Sequence, residues 1–264
     1  VGYNLKGIAT VTRQKYLTAS EKGPWANSYD RWRNDNLTNR YQGVQFGYTS
    51  AGRYTSWNDI WNYYGFKERD VLPGDYKYED WNGDGEINGQ DEHPFAFDQT
   101  PWLQFSLNAG LQWKNFDFNM LLQGSALGSM EYKEPLHEIW GKNGGGALTQ
   151  FLDRWHPVDP KADPYDPSTV WTSGHYAYTG RWAKNNSAFN RVSTAYLRLK
   201  SIELGYTFPK LKQIPNASLR VYANAYNLLT FTGVKFVDPE HPDDDLGRMY
   251  PLNKTYTLGV SLSF

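Results

Sequence analysis

Between Trp102 and Trp113 the side chains keep a strict rhythm of two: Leu103, Phe105, Leu107, Ala109, Leu111 and Trp113 alternate with Gln104, Ser106, Asn108, Gly110 and Gln112. That period sets the apolar groups on one side of an extended strand and the polar groups on the other. Lys114-Asn115 then makes a tight turn, and the pattern resumes with Phe116, Phe118, Met120 and Leu122 against Asp117, Asn119 and Gln123. The two runs predict a long β-hairpin.

Four more stretches behave alike. Tyr3, Leu5, Gly7, Ala9 and Val11 alternate with Asn4, Lys6, Thr10 and Thr12; Leu219, Val221, Ala223 and Ala225 alternate with Arg220, Tyr222, Asn224 and Tyr226. Tyr256, Leu258, Val260, Leu262 and Phe264 alternate with Thr255, Thr257, Gly259, Ser261 and Ser263. Over 195–208 the parity switches. Leu197 and Leu199 share one register, opposite Arg198 and Lys200, while Ile202, Leu204, Tyr206 and Phe208 take the other. A one-residue bulge near Lys200-Ser201 restores a single apolar face.

The polar side of these strands carries Gln, Asn, Ser, Thr and Gly more than Lys and Glu, whereas a soluble sandwich usually sets charges outward. An apolar band opposite an amide- and hydroxyl-lined face suits the wall of a membrane barrel, whose tilted strands need roughly 9–11 residues to cross. Aromatic residues make up 17% of the chain, and Trp102, Trp113, Phe116, Tyr256 and Phe264 stand at strand ends, where interfacial girdle residues belong. Lys6, Arg198, Arg220 and Tyr222 lie on the polar parity and are assigned to the lumen.

Connections alternate between long (19–101, 127–194, 231–253) and short (114–115, 209–216). The expected organisation is a barrel strand over 1–18, an external loop over 19–101, a barrel hairpin over 102–126, a loop over 127–194, a hairpin over 195–230, a loop over 231–253 and a last strand over 254–264. Short periplasmic turns with long extracellular loops are the asymmetry of bacterial outer-membrane barrels. A soluble β-sandwich with insertions is the alternative, and it leaves the alternation of loop lengths unexplained. Six strands cannot close a barrel, because each open edge leaves unpaired backbone groups in lipid; the rest of the wall is expected from elsewhere. The chain opens at Val1 inside a strand pattern, with neither Met nor signal sequence, and is expected to be a piece of something longer.

Composition removes several functions. With 27 basic against 28 acidic side chains, no basic surface is available for nucleic acid. The absence of cysteine excludes a disulfide framework, a thiolate metal site and a cysteine nucleophile. His93, His137, His156, His175 and His241 all fall in loops, without HExxH or clustered ligand spacing. No carboxylate pair stands out for glycoside hydrolysis, so the chain is read as no enzyme. Mean hydropathy is −0.71, and no apolar run approaches the roughly 18–20 residues of a transmembrane helix. Strands with one apolar face escape that measure.

The strongest local chemical signal is Asp80-Trp81-Asn82-Gly83-Asp84-Gly85-Glu86-Ile87 followed by Asp91. Oxygen ligands at positions 1, 3 and 5, Gly at 6, an apolar residue at 8 and a carboxylate at 12 match a calcium-loop spacing. Asp80, Asn82, Asp84 and Asp91 would offer side chains and Glu86 its carbonyl, with Asp91 departing from the usual Glu. Two readings are open, a bound Ca²⁺ and an ion-free acidic turn. Over 54–66, Trp57, Ile60, Trp61 and Tyr64 trace a helical face, and Glu131 to Trp140 is expected as a second short helix. Trp57, Trp61 and Tyr64 are candidates for a partner or substrate surface, or for packing the loop's own core.

The residues then resemble a known family, the carboxyl-terminal portion of SusC/RagA-type TonB-linked outer-membrane proteins of Bacteroidota. The resemblance rests on an ordered set covering roughly 70–264. It starts with Pro73-Gly74-Asp75-Tyr76-Lys77-Tyr78 leading into the Asp80–Asp91 loop, then Trp155-x-Pro157-x-x-Pro160-x-Ala162-x-x-Pro164. Tyr196-Leu197-Arg198-Leu199-Lys200-x-Ile202-x-Leu204-Gly205-Tyr206-Thr207, Asn227-Leu228, Asp238-Pro239-Glu240, Tyr250-Pro251 and the terminal Phe264 follow. The resemblance implies an all-β fold, the last six antiparallel strands of a 22-stranded transmembrane barrel in the cell outer membrane with extracellular loops. It implies a SusD-like lipoprotein over those loops, TonB acting through an absent amino-terminal region, and import of glycans or peptides. It also implies that the barrel-assembly machinery reads Phe264. A non-transporting structural subunit of a larger outer-membrane machine and a calcium-dependent extracellular binding module are the rival readings.

Overall fold

The computed structural model describes residues 1–19, 37–63, 71–133, 136–137, 148–178, 187–209, 217–240 and 249–264. Six long strands form one antiparallel sheet: β1 (Gly2–Val11), β2 (Leu103–Trp113), β3 (Phe116–Ala126), β4 (Tyr196–Phe208), β5 (Ser218–Thr232) and β6 (Thr255–Ser263). Their order in space is their order in sequence, β1 at one edge and β6 at the other. β1 ends at Val11 rather than near 18, and the Thr12 amide carries its register one step further by donating to the Trp102 carbonyl at 2.9 Å. β5 runs to Thr232, beyond the expected limit at 230.

The β2–β3 hairpin closes as a two-residue turn between the paired Trp113 and Phe116, with Lys114 at φ 54. The parity switch in β4 is a bulge. Leu199 faces Leu122 and Ser201 faces Leu121, so Lys200 is the extra residue against β3. β5 answers with its own: Leu199 faces Leu229 but Ser201 faces Tyr226, and Asn227 between them takes φ 52. After these two adjustments Leu197, Leu199, Ile202, Leu204, Tyr206 and Phe208 share one face with the apolar residues of β2, β3 and β5.

Burial inverts what a water-soluble sheet shows. Tyr3 (85% exposed), Phe231 (63%) and Leu258 (84%) stand open, Leu103, Phe105, Leu107, Phe118 and Met120 are half-buried, and no second layer crosses the sheet among the described residues. The clustered core lies in the connections instead. Tyr48, Tyr76, Tyr78 and Ala177 pack together with Ile87 and Phe189, and Tyr54, Leu72 and Phe151 are also buried. No helix among the described residues is long and apolar enough to cross a membrane.

The long connections are ordered by short ladders: Gln45–Gly47 with His93–Ala96, Ser50–Arg53 with Tyr76–Tyr78, Ser129–Glu131 with Arg191–Ser193, and His156–Pro157 with Trp171–Thr172. Glu131 therefore ends a strand and does not open a helix, since its ladder to Arg191 competes for the same backbone groups; much of 132–140 lies outside the described residues. The helix expected over 54–66 forms as α1 (Trp57–Asn62), capped by Ser56, whose hydroxyl accepts the Asp59 amide. It stops at Tyr63, where the backbone turns extended.

Candidate functional site

By register the polar residues of all six strands meet on the face opposite the lipophilic one. Asn4 faces Gly110, Lys6 faces Asn108, Gln112 faces Asp117, Glu203 faces Asn224 and Tyr222 faces Gly259. Lys6, Arg198, Arg220 and Tyr222 lie by register on this face. Lys6 stands exposed on β1. Arg198, Arg220 and Tyr222 are each built into a contact.

Near the turn ends of the strands, the Arg220 guanidinium bridges two strands' acids. Its Nη2 lies 2.5 Å from Asp117 Oδ2 and 2.6 Å from Glu203 Oε1, and its Nε donates to Asp117 Oδ1 at 3.1 Å. It also lies 4.8 Å from the Tyr222 ring. Two glycines make the space: a Cβ at Gly205 would enter the Asp117 carboxylate, and one at Gly259 would strike the Tyr222 ring.

At the loop end, Arg198 is only 1% exposed. Its Nη1 donates to Glu240 Oε2 at 2.6 Å, Nη2 to Asp238 Oδ2 at 2.5 Å and Nε to Thr230 Oγ1 at 3.0 Å. The Tyr196 hydroxyl donates to the other Glu240 oxygen at 2.8 Å. Beside this cluster runs an open groove of about 550 Å³, lined on the sheet by Thr10, Gln104, Ser106, Gln123 and Ser125 together with Ile8 and Leu121, with Pro239 and Glu240 at its rim. Amide and hydroxyl side chains donate and accept alike, so this surface can hydrogen-bond a neutral polar ligand in many orientations.

The Asp80–Asp91 loop is built from its own amides. Asp80 accepts Gly83, Asp84 and Gly85 amides at 2.7, 3.3 and 2.8 Å, Asn82 accepts that of Asp84 at 2.9 Å, and Asp84 accepts that of Glu86 at 2.8 Å. Gly83 and Gly85 sit at φ 74 and 82 with open space beside them, so backbone conformation alone demands glycine there. Asp91 is fully buried (0% exposed). Its two oxygens accept the amides of Trp81 and Asn88 at 2.9 and 2.7 Å, with that of Asn82 at 3.4 Å. Burial pushes the Asp91 carboxyl pKa up, against the pull of those amides. Among the described residues no three His, Asp or Glu side chains gather as a metal site. The side chains of Asp80, Asn82 and Asp84 are all engaged by backbone amides of the loop itself.

On α1 the ring centroids of Trp57 and Trp61 lie 6.0 Å apart, and Trp61 is 66% exposed. Tyr64 lies outside the described residues. Lys77 holds the helix through Asp59 Oδ1 at 2.7 Å. Although burial works the other way, Lys77 and the Thr55 amide hold the Asp59 carboxyl below its ordinary range. Phe264, after β6, is exposed. Sequence reasoning missed Asp117 and Glu203 as partners of Arg220, and Asp238 and Glu240 as partners of Arg198. Acidic residues on an otherwise amide-lined parity were the available signal for the first pair. The second pair comes from a loop about forty residues away, for which no local signal exists.

No family model matches the chain. A TonB-dependent receptor of Formosa agariphila is 28% identical over 211 residues, 74% of this chain and 19% of that protein. A second receptor of that organism is 27% identical over 239 residues, 85% of this chain and 22% of its own length. The TonB-dependent receptor SusC of Bacteroides thetaiotaomicron is 26% identical over 210 residues, 78% of this chain and 19% of SusC. The chain thus spans about a fifth of the length of these relatives. Among solved structures, the RagAB peptide importer in its closed-closed state superposes with a TM-score of 0.57 at 20% identity, over 99% of this chain and 27% of that one. The open-open state gives 0.53 at 18% identity, over the same shares. At such identity the likeness is one of fold. The resemblance read from the residues is borne out, and the chain is similar to the SusC and RagA proteins over most of its length.

Proposed function

We propose that this chain is part of the wall of a SusC-like TonB-dependent transporter, a 22-stranded barrel in the cell outer membrane that imports glycans or peptides. One observation carries the reading: among the described residues the apolar side chains of six consecutive strands meet no second protein layer, while the opposite face carries most of the polar and ion-paired groups. In water that exposure costs about 25 cal/mol per Å² of apolar surface; in acyl chains it costs nothing. The long connections, packed around their own tyrosine core, are then extracellular. They offer Trp57 and Trp61 to a SusD-like lipoprotein, TonB acts through a region outside these residues, and Phe264 serves barrel assembly. Catalysis has no place in this reading.

Calcium belongs to it as a loop-ordering ion held by Asp80, Asn82, Asp84 and the Glu86 carbonyl, supported by their spacing. The test of the whole is uptake by cells carrying the intact protein. A SusD-like lipoprotein is expected to co-purify, and cutting the 54–66 loop is expected to abolish uptake. Growth on the cargo unchanged by that cut overturns the transport reading, whereas lipoprotein binding with no uptake of any cargo favours the structural-subunit alternative.

A further inference from the structure

Away from the six-stranded sheet, the first two long connections meet around a small pocket of about 240 Å³. Three indoles, Trp57, Trp155 and Trp171, wall it, and the hydroxyls of Ser56, Thr169 and Ser173 stand among them. No charged side chain lines it among the described residues. Each wall is held from behind. A Cβ at Gly74 would strike the Trp155 ring, so that indole lies against bare backbone. Trp171 is laddered to Pro157 and packs edge-on to Tyr178 at 5.4 Å. Trp57 opens α1 directly after the Ser56 cap, while Trp61, one turn on, is not part of the wall and stays open. Arg53 ties the two connections together by donating to the Gly74 carbonyl at 2.8 Å and to the His175 carbonyl.

We propose that this pocket binds one pyranose ring of a neutral glycan; the inference rests on the transporter reading only in placing the pocket outside the cell. The volume is below the roughly 300–1,000 Å³ of sites for drug-sized ligands, which suits a single ring. The C–H face of a pyranose packs on an indole, whose negative π face attracts those hydrogens. Its hydroxyls each need a partner that donates or accepts. The Ser56 hydroxyl accepts the Asp59 amide at 3.2 Å and keeps its proton to give, whereas Thr169 donates to the Asp163 carbonyl at 2.6 Å and keeps a lone pair. The indole N–H groups of Trp57 and Trp171 are buried without an acceptor, and a slight turn of either ring offers that donor to a sugar oxygen. A uronate or sulfate would lose hydration here with no cation among the lining residues to replace it. A proline-rich peptide, another ligand of aromatic-walled grooves, brings carbonyl acceptors but no N–H for the Thr169 oxygen.

The test is calorimetric titration of the intact protein, purified in a detergent without a sugar head, with maltohexaose, cellohexaose, hexagalacturonate and hexaproline. At least one of the two neutral oligosaccharides is expected to bind with a Kd of about 1 mM or tighter. Ser173 is exposed at the mouth, so Ser173→Trp fills the pocket from a position that folding tolerates, and binding is expected to weaken at least about tenfold. Trp171→Phe keeps a ring and removes the N–H, and a smaller loss is expected; where that variant does not assemble, Ser173→Trp decides alone. Neither neutral oligosaccharide binding, the same affinity in Ser173→Trp, or hexagalacturonate or hexaproline bound as tightly each overturns the inference. Purified protein in detergent transports nothing, so absent binding leaves the transport reading standing, and binding without uptake by cells sinks that reading alone.

Discussion

Asp91 shows how one side chain can serve a loop in a way its spacing alone does not reveal. Its place twelve residues into the motif suggests a metal ligand, yet its oxygens accept the amides of Trp81, Asn82 and Asn88. Each buried amide left without an acceptor costs about 1–3 kcal/mol. Asp91→Ala is therefore expected to loosen residues 80–91 with or without calcium, seen as early proteolytic cleavage there. Asp84→Asn is expected to leave the calcium-free loop intact and to remove the heat of calcium binding in calorimetry; an unchanged heat would show that the ion, if bound, sits elsewhere. Asp59 gives a pH prediction. Its folded pKa is depressed beside Lys77, so its contribution is present above the unfolded value of about 3.9 and is lost as pH falls through the lower folded value. The protection of the α1 amides, taken relative to the intrinsic exchange rate at each pH, is expected to hold at neutral pH and to fall below about pH 4.

At the scale of the element, the bulges decide whether six strands make one wall. Alternation has a period of two, so a single added residue turns every following side chain to the other face. The switch of parity in 195–208 made the bulge at Lys200 legible, because only an extra residue reconciles Leu197 and Leu199 with Ile202, Leu204, Tyr206 and Phe208. The answering irregularity at Asn227 was not legible. β5 keeps its apolar residues on odd positions across it, so its pattern carries no mark. Deleting Lys200 is expected to put Ile202, Leu204, Tyr206 and Phe208 on the polar face, and the protein is then expected to fail to reach the membrane as a heat-modifiable barrel. Assembly at the normal level would mean that register is set by something other than this bulge.

For the molecule as a whole, the decisive prediction contrasts neighbours on β6. Leu258 pairs with Ala223 on the apolar face and Thr257 with Asn224 on the polar one. An Arg facing lipid near the midplane costs about 2–4 kcal/mol, so Leu258→Arg is expected to lower the yield of inserted barrel sharply, while Thr257→Arg, facing water, is expected to insert normally. Equal yields would sink the assignment of faces. Strand identity, the hairpins and the two faces were all readable in the linear order of residues, because side-chain alternation is a local property of extended backbone. The loops were not. Their order comes from ladders such as Gln45–Gly47 with His93–Ala96 and from rings such as Tyr76 and Phe189, 4.7 Å apart and more than a hundred positions distant. Which acids hold Arg198 and Arg220 likewise depended on the folded chain, since an ion pair is chosen by distance in space and no periodic signal records it.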